Sequence, residues 1–387
     1  MAELDRRTLL KGAGGVGFGA VSLLALKYGF NAPDRKQDPA TCKATDLSST
    51  QKRFVISNWP EYIDEDDKKY VSTLSEFEKE TGIKVSYTAD VNDNNEFFAK
   101  VSNQLGSCSS SKRDMFVLTD WMAARMVQVG WIQKLDAAKV PNLHENIIDS
   151  LAAPGWDKKR DYSAPWQSGL TGIAYNKKKV KEVGSFHELL TRSDLKGRVS
   201  LLTEMRDTMG FALLTVGADP AKFTDADWQK AIESMRKAKR DGQVRAFTGN
   251  DYVQDLSAGN VLAAEAWSGD IANAGDDNLV WIPAEEGVMI WADNMLVPNL
   301  ATHKSNAEKW INYYYEPEVA AKLAAYNSYI CPVKGAQEAM KKVNKDQVDN
   351  ELIFPTEKTL SISHRFMALD EFQNRTYEKD FSDVTGS

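Results

Sequence analysis

Four residues set out the chemistry open to this sequence: Trp267 and Trp291, with the carboxylates Asp270 and Asp293 only a few positions further on. An indole face beside a carboxylate suits an organic cation, because the ring supplies cation-π attraction and apolar cover while the carboxylate supplies charge-assisted hydrogen bonds. In the stretch from Val288 to Val297 the side chains of an extended strand alternate. Trp291, Asp293 and Met295 then share one face, and Ile290, Ala292 and Asn294 the other. The competing reading is a core tryptophan beside a solvated aspartate, and the surrounding elements decide between the two.

Those elements alternate between short apolar runs and helical periodicity. Arg53–Ser57, Ile83–Thr88 and Asp114–Leu118 read as strands. A helix is expected from Pro60 through Tyr70, Leu74 and Phe77 to Thr81-Gly82, a second around Phe97–Val101, and a third capped by Thr119 or Asp120 and running to Gly130. The same alternation resumes with the strand Gly169–Asn176, the strand Arg198–Leu202, helices in Met209–Val216 and Asp225–Lys239, and the strand Val244–Phe247. It predicts mainly parallel sheet covered on both faces, in which ligands bind where strands end and helices begin. Trp59, Trp121 and Trp267 all stand at such ends, where core filling is a poor explanation of a large aromatic.

The 387 residues suffice for two domains with separate cores. A net charge of −7 and a pI near 5.4 argue against nucleic acid, which needs a concentrated basic surface, and agree with a cationic ligand. Catalytic signatures are missing: His144, His187, His303 and His364 have no metal-ligand spacing, and there is neither a GxSxG motif nor a P-loop. A glycosidase, with paired acids on aromatic platforms, is the enzymatic alternative, and Asp270 with Asp293 would be its pair. Tyr313, Tyr314 and Tyr315 lie on a helix and face apart, so they do not converge on one metal ion. No cofactor is expected; the glycine pattern Gly12–Gly17 follows no strand and lies within a leader-like segment.

That segment, residues 1–30, has Arg6 and Arg7 before Thr8-Leu9-Leu10-Lys11 and then an uncharged run from Gly12 to Leu26. It resembles a twin-arginine signal, which implies export through the twin-arginine machinery and a location at the outer face of the cytoplasmic membrane. Residues 31–51 read as a flexible tether. Of Cys42, Cys108 and Cys331 any two can pair, and Cys42 has lipidation as a second possible fate.

Six segments in order, NWPEYID (58–64), FEKETGIKV (77–85), GWIQKLD (130–136), GLTGIAYN (169–176), AWSGDIA (266–272) and IPAEEGVMIWADNMLVP (282–298), carry a resemblance to the periplasmic spermidine/putrescine-binding proteins of ABC importers. The resemblance implies an α/β fold of two lobes, each a mainly parallel sheet flanked by helices, joined by crossing hinge strands. Lobe 1 would comprise 52–165 plus 293–335, and lobe 2 166–292 plus 336–387. It also implies a monomer that does no chemistry and delivers a polyamine to a membrane permease. Carried over position by position, the ligand contacts would be Trp59, Tyr62, Thr119, Trp121, Trp267, Trp291, Asp293 and Tyr329, with Asp270 alongside. The chain departs from the pattern at 203–207. Where the polyamine binders place two acids it has Thr203 and Arg206, with Glu204 and Asp207 one step away. Either Glu204 and Asp207 take the acidic role, or the ligand is another small amine or a zwitterion.

Overall fold

The computed structural model of the chain describes residues 41–386; the expected signal, residues 1–30, and the first part of the expected tether lie outside them. Ten strands are present among the described residues: β1 (Arg53–Asn58), β2 (Lys84–Ala89), β3 (Met115–Thr119), β4 (Ser163–Asn176), β5 (Val199–Leu202), β6 (Val244–Thr248), β7 (Ala263–Trp267), β8 (Leu279–Ile282), β9 (Val288–Leu296) and β10 (Ser363–His364). They follow the order β2-β1-β3-β9-β4-β7-β5-β6, with β10 on β9 and β8 on β4.

Two parallel sets, β2-β1-β3 and β7-β5-β6, are therefore bridged by the antiparallel pair β9 and β4. Parallel neighbours require a crossover, and helices supply it: Thr73–Thr81 and Asn94–Gly106 in the first set, Asp225–Arg240 and Tyr252–Ala258 in the second. The crossing strand β4 is buried along its whole length, as expected of a strand covered on both faces.

Each set has its own core. Phe54, Phe77, Phe116, Trp166, Trp310 and Tyr314 belong to one, and Phe186, Phe211, Trp228 and Met235 to the other. The two-lobed α/β architecture implied by the family resemblance is what the chain adopts. Its C-terminal part is divided between the lobes: Ala336, Met340 and Ile353 pack into the first core, whereas Tyr377, Phe381 and Val384 of the last helix, Glu371–Thr385, pack into the second.

Two local expectations need correction. The helix expected from Pro60 begins only at Thr73, because Asp64 accepts from the Thr73 amide at 2.7 Å and Asp66 from the Ser72 amide at 2.7 Å, folding residues 61–72 into a loop that Ser72 then caps. Residues 41–51 are not a free tether. Cys42 is disulfide-bonded to Cys108, the Leu47 amide donates to the Thr302 carbonyl at 2.7 Å, and Ser48 receives the Asn306 amide at 3.1 Å. The disulfide also leaves Cys42 no thiol for a lipid, and Cys331 is the buried free cysteine.

Candidate functional site

The site sits where the strands of both sets end against the crossing pair. Trp59 follows β1 directly, Thr119 ends β3 with Trp121 in the next helical turn, and Trp267 ends β7. Glu204 caps the helix Met205–Thr215, which carries Asp207 in its first turn, and Asp270 lies in the short helix after β7. Trp291 and Asp293 come from β9, and Tyr329 precedes Ile330, which is bridged to Ser168 of β4. All eleven of these residues, Tyr62 included, line one cavity of about 1400 Å³.

Its walls are aromatic. Trp59 meets Trp267 edge to face at 6.1 Å, Trp267 meets Trp291 at 6.3 Å, Trp291 meets Tyr329 at 5.7 Å, and Tyr329 meets Tyr62 at 5.0 Å. Two glycines permit this closeness. A Cβ on Gly169 would come within 2.4 Å of the Trp291 ring, and one on Gly269 within 2.4 Å of the Tyr329 ring.

Carboxyl groups are set between the rings. Asp293 accepts from Tyr62 at 3.0 Å and from Thr119 at 2.7 Å. Asp270 accepts from Tyr329 at 2.6 Å, Tyr252 at 2.8 Å and Asn250 at 2.9 Å, and Asp207 from the Trp267 indole at 2.9 Å. Burial raises all of them. Asp293 is pushed up to about 7 and Asp207 to about 6, against the pull of these hydrogen bonds. Glu204 is pushed up to about 8 by burial, with the Arg206 charge opposing. Behind them Glu265, fully buried and held by Thr208 at 2.6 Å, is raised further by burial and by the charge of Asp207. Loss of water thus outweighs the hydrogen bonds at each acid, and a cation delivered into the cavity would favour the ionised forms.

Arg206 also faces this cavity, so Glu204 and Asp207 do not exclude it. Its guanidinium lies 3.6 Å from the centre of the Trp121 ring and is held by Asn374 at 2.8 Å and Glu378 at 3.5 Å, both on the last helix. One face of Trp121 is therefore covered from within the protein.

Sequence reasoning missed Asn94, Tyr252 and Glu378. Asn94 donates to Thr119 at 2.9 Å and to Glu204 at 3.0 Å, joining the two halves of the site. Asp93 accepts from Thr203 at 3.1 Å and Asn95 donates to Glu378 at 2.9 Å, so three successive residues of the first lobe grip the second. An isolated Asp-Asn-Asn at a helix start reads only as a cap, and Asp93 does cap its helix. Among the described residues no group of acids, histidines and cysteines is arranged to hold a metal ion.

The chain is 29% identical over 337 residues to the spermidine/putrescine-binding periplasmic protein 1 of Haemophilus influenzae, covering 86% of this chain and 88% of that one. It is likewise 29% identical over 331 residues to the putrescine-binding periplasmic protein PotF of Escherichia coli, covering 80% and 85%. The fold matches that of the spermidine/putrescine ABC transporter substrate-binding protein PotD of Streptococcus pneumoniae with a TM-score of 0.69 and 23% identity, over 87% of this chain and 99% of that one. The model of the bacterial extracellular solute-binding protein family matches residues 73–350, and the chain belongs to that family.

Proposed function

We propose that the protein is the substrate-binding component of an ABC importer, capturing a polyamine such as spermidine or putrescine between its lobes and delivering it to a membrane permease. The observation that carries this reading is the set of four carboxyl groups, Glu204, Asp207, Asp270 and Asp293, set among the aromatic walls of one cavity, with Arg206, the arginine next to Glu204 and Asp207 in sequence, engaged by Glu378. Ammonium groups supply the missing charge, and a methylene chain suits the ring faces. The relatives named above, called spermidine/putrescine- and putrescine-binding, support the same ligand class.

The binding role falls to Trp59, Tyr62, Thr119, Trp121, Glu204, Asp207, Trp267, Asp270, Trp291, Asp293 and Tyr329. Each cation-π contact contributes about 0.5–2 kcal/mol, and Asp293 anchors an ammonium already flanked by two hydroxyls. The ligand favours closure because it touches both lobes at once. Lobe 1 comprises 52–165 with 293–335 and lobe 2 166–292, and the segment 336–387 is shared between their cores. Residues 1–30 direct export by the twin-arginine route, and the protein works as a monomer outside the cytoplasmic membrane.

Isothermal titration of the full-length protein with putrescine, spermidine, glycine betaine and a neutral sugar tests the assignment. Saturable binding of an amine is the expected result; heat with betaine or sugar alone overturns it. A second reading, a zwitterionic ligand, draws on Arg206 facing the cavity, and adding 4-aminobutyrate to the panel addresses it.

A further inference from the structure

The polyamine reading leaves the length of the ligand open, and Arg206 bears on it. We infer that Arg206 is the residue that sets ligand length: its guanidinium, lying on Trp121, takes the aromatic position that a third ammonium would need, so the site takes a diamine and rejects a triamine. This inference rests on the proposed polyamine function and deepens it.

Three observations support it. The guanidinium is 3.6 Å from the Trp121 ring centre, which leaves no room for an ammonium on that face. It is fixed there from behind by Asn374 at 2.8 Å and by the buried Glu378 at 3.5 Å. Glu378 in turn receives Asn95 of the opposite lobe at 2.9 Å, so the arginine's anchor is tied into the contact between lobes. Because Glu378 already meets its charge, Arg206 is not an unmatched cation awaiting a carboxylate ligand. The other aromatic faces, at Trp59, Trp267 and Trp291, stand edge to face against one another, and Asp270 and Asp293, each held by hydroxyl groups, can match two ammonium groups there. A third, directed toward Trp121, meets a filled ring face and a like charge in a site with little water to screen it.

The experiment is titration of full-length wild type, Arg206→Gln and Arg206→Lys with putrescine and spermidine, read as the ratio of the two dissociation constants. Wild type is expected to prefer putrescine by at least about tenfold. Arg206→Gln should bring the ratio to within about threefold of unity by tightening spermidine, because the amide keeps a polar partner for Asn374 but removes charge and stacking. Arg206→Lys, which keeps the charge, should retain most of the preference. Equal binding of both amines by wild type overturns the inference while leaving the polyamine function standing, and needs no variant to fold. So does an unchanged ratio in Arg206→Gln. Binding of neither amine by wild type overturns both.

Discussion

Thr119 occupies the N-cap position of its helix, yet its hydroxyl makes no capping bond; it donates to Asp293 at 2.7 Å across the β3–β9 register pair that sets the two residues side by side. With Tyr62 on the other oxygen, two hydroxyls fix the orientation of the carboxylate. Asp293→Asn removes the charge while preserving the shape. We expect putrescine affinity to fall at least about 30-fold, the equivalent of about 2 kcal/mol, since a desolvated charge partner costs about 2–5 kcal/mol to remove. Thr119→Val, which frees the carboxylate and also takes the hydroxyl acceptor from Asn94, should cost about tenfold. Calorimetric titration checks both, and equal losses from the two variants would contradict the anchoring role.

The raised carboxyls make a pH prediction whose sign is fixed. Asp293 and Glu204 move from ordinary values of 3.8 and 4.5 to about 7 and about 8 in the fold. A group raised on folding stabilises fully below its unfolded value and loses that contribution as pH rises through the folded one. The ligand-free protein should therefore lose stability between about pH 4 and pH 8 on account of these groups. A bound diamine favours their ionised forms, so the rise in melting temperature with saturating putrescine should grow from about pH 5 to about pH 8, with protons released on binding. Thermal melts with and without putrescine across that range test this; a ligand-induced shift independent of pH would count against ionised carboxylates as the anchors.

Gly169 and Gly269 are predicted to be specific to the aromatic walls. The added methyl of Gly169→Ala collides with Trp291, and that of Gly269→Ala with Tyr329. Each should destabilise by about 1–3 kcal/mol, the cost of overpacking a filled interior, and weaken putrescine binding beyond that loss. Gly155→Ala, which lines the same cavity but has nothing within 4 Å of its Cβ, is the control for collision with the rings. Urea denaturation alongside titration separates the two effects.

How much of the fold and site is legible in the sequence differs by residue. Trp59, Trp121 and Trp267 are placed by alternation alone, because strand ends in such sheets are where side chains meet a ligand. Trp291 and Asp293 are legible as a face of β9, although Ile290, on the other face, also reaches the cavity. Helical spacing at Tyr70, Leu74 and Phe77 gives no warning that Asp64 and Asp66 hold residues 61–72 out of the helix, since side chains accepting backbone amides leave no period. Asn94 and Glu378 are invisible for a related reason. Their partners lie 110 and 172 positions away, at Glu204 and Arg206, and no local pattern encodes such a pairing.

The disulfide should be a measurable part of the stability of the first lobe. Cys42 and Cys108 are separated by 66 positions. Closing a loop of that length is worth up to about 4 kcal/mol in the chain-entropy account. Cys42→Ser with Cys108→Ser should lower the unfolding free energy by about 2–4 kcal/mol while leaving putrescine affinity within about twofold, because neither cysteine lines the cavity. In the native wild type Cys331 should resist thiol reagents, being buried with its thiol pushed up to about 12. Reagent uptake before and after denaturation tests that pairing: rapid native labelling of more than one cysteine would overturn it.

The contact between lobes gives the last prediction. Asn94 donates to Thr119 and Glu204 and accepts from the Thr119 amide at 3.2 Å, so one side chain links the helix start of the first lobe, the anchor of Asp293 and an acid of the second lobe. This chain of bonds runs from one lobe to the other, so it adds to any contribution a bridging ligand makes to holding the lobes together. Asn94→Ala should shift the population toward the open form and lower apparent putrescine affinity by about fivefold to tenfold, because a ligand that needs the closed state is weakened by the fraction lost from it. The effect belongs mainly in the dissociation rate, where most affinity differences among variants of one interface lie. Asn94→Asp should be worse, since it sets a second carboxylate against Glu204 at 3.0 Å. Small-angle scattering without ligand should show both variants more extended than wild type, and stopped-flow binding should show faster release. Slower association with unchanged release would place Asn94 on the route into the cleft and not in its closure.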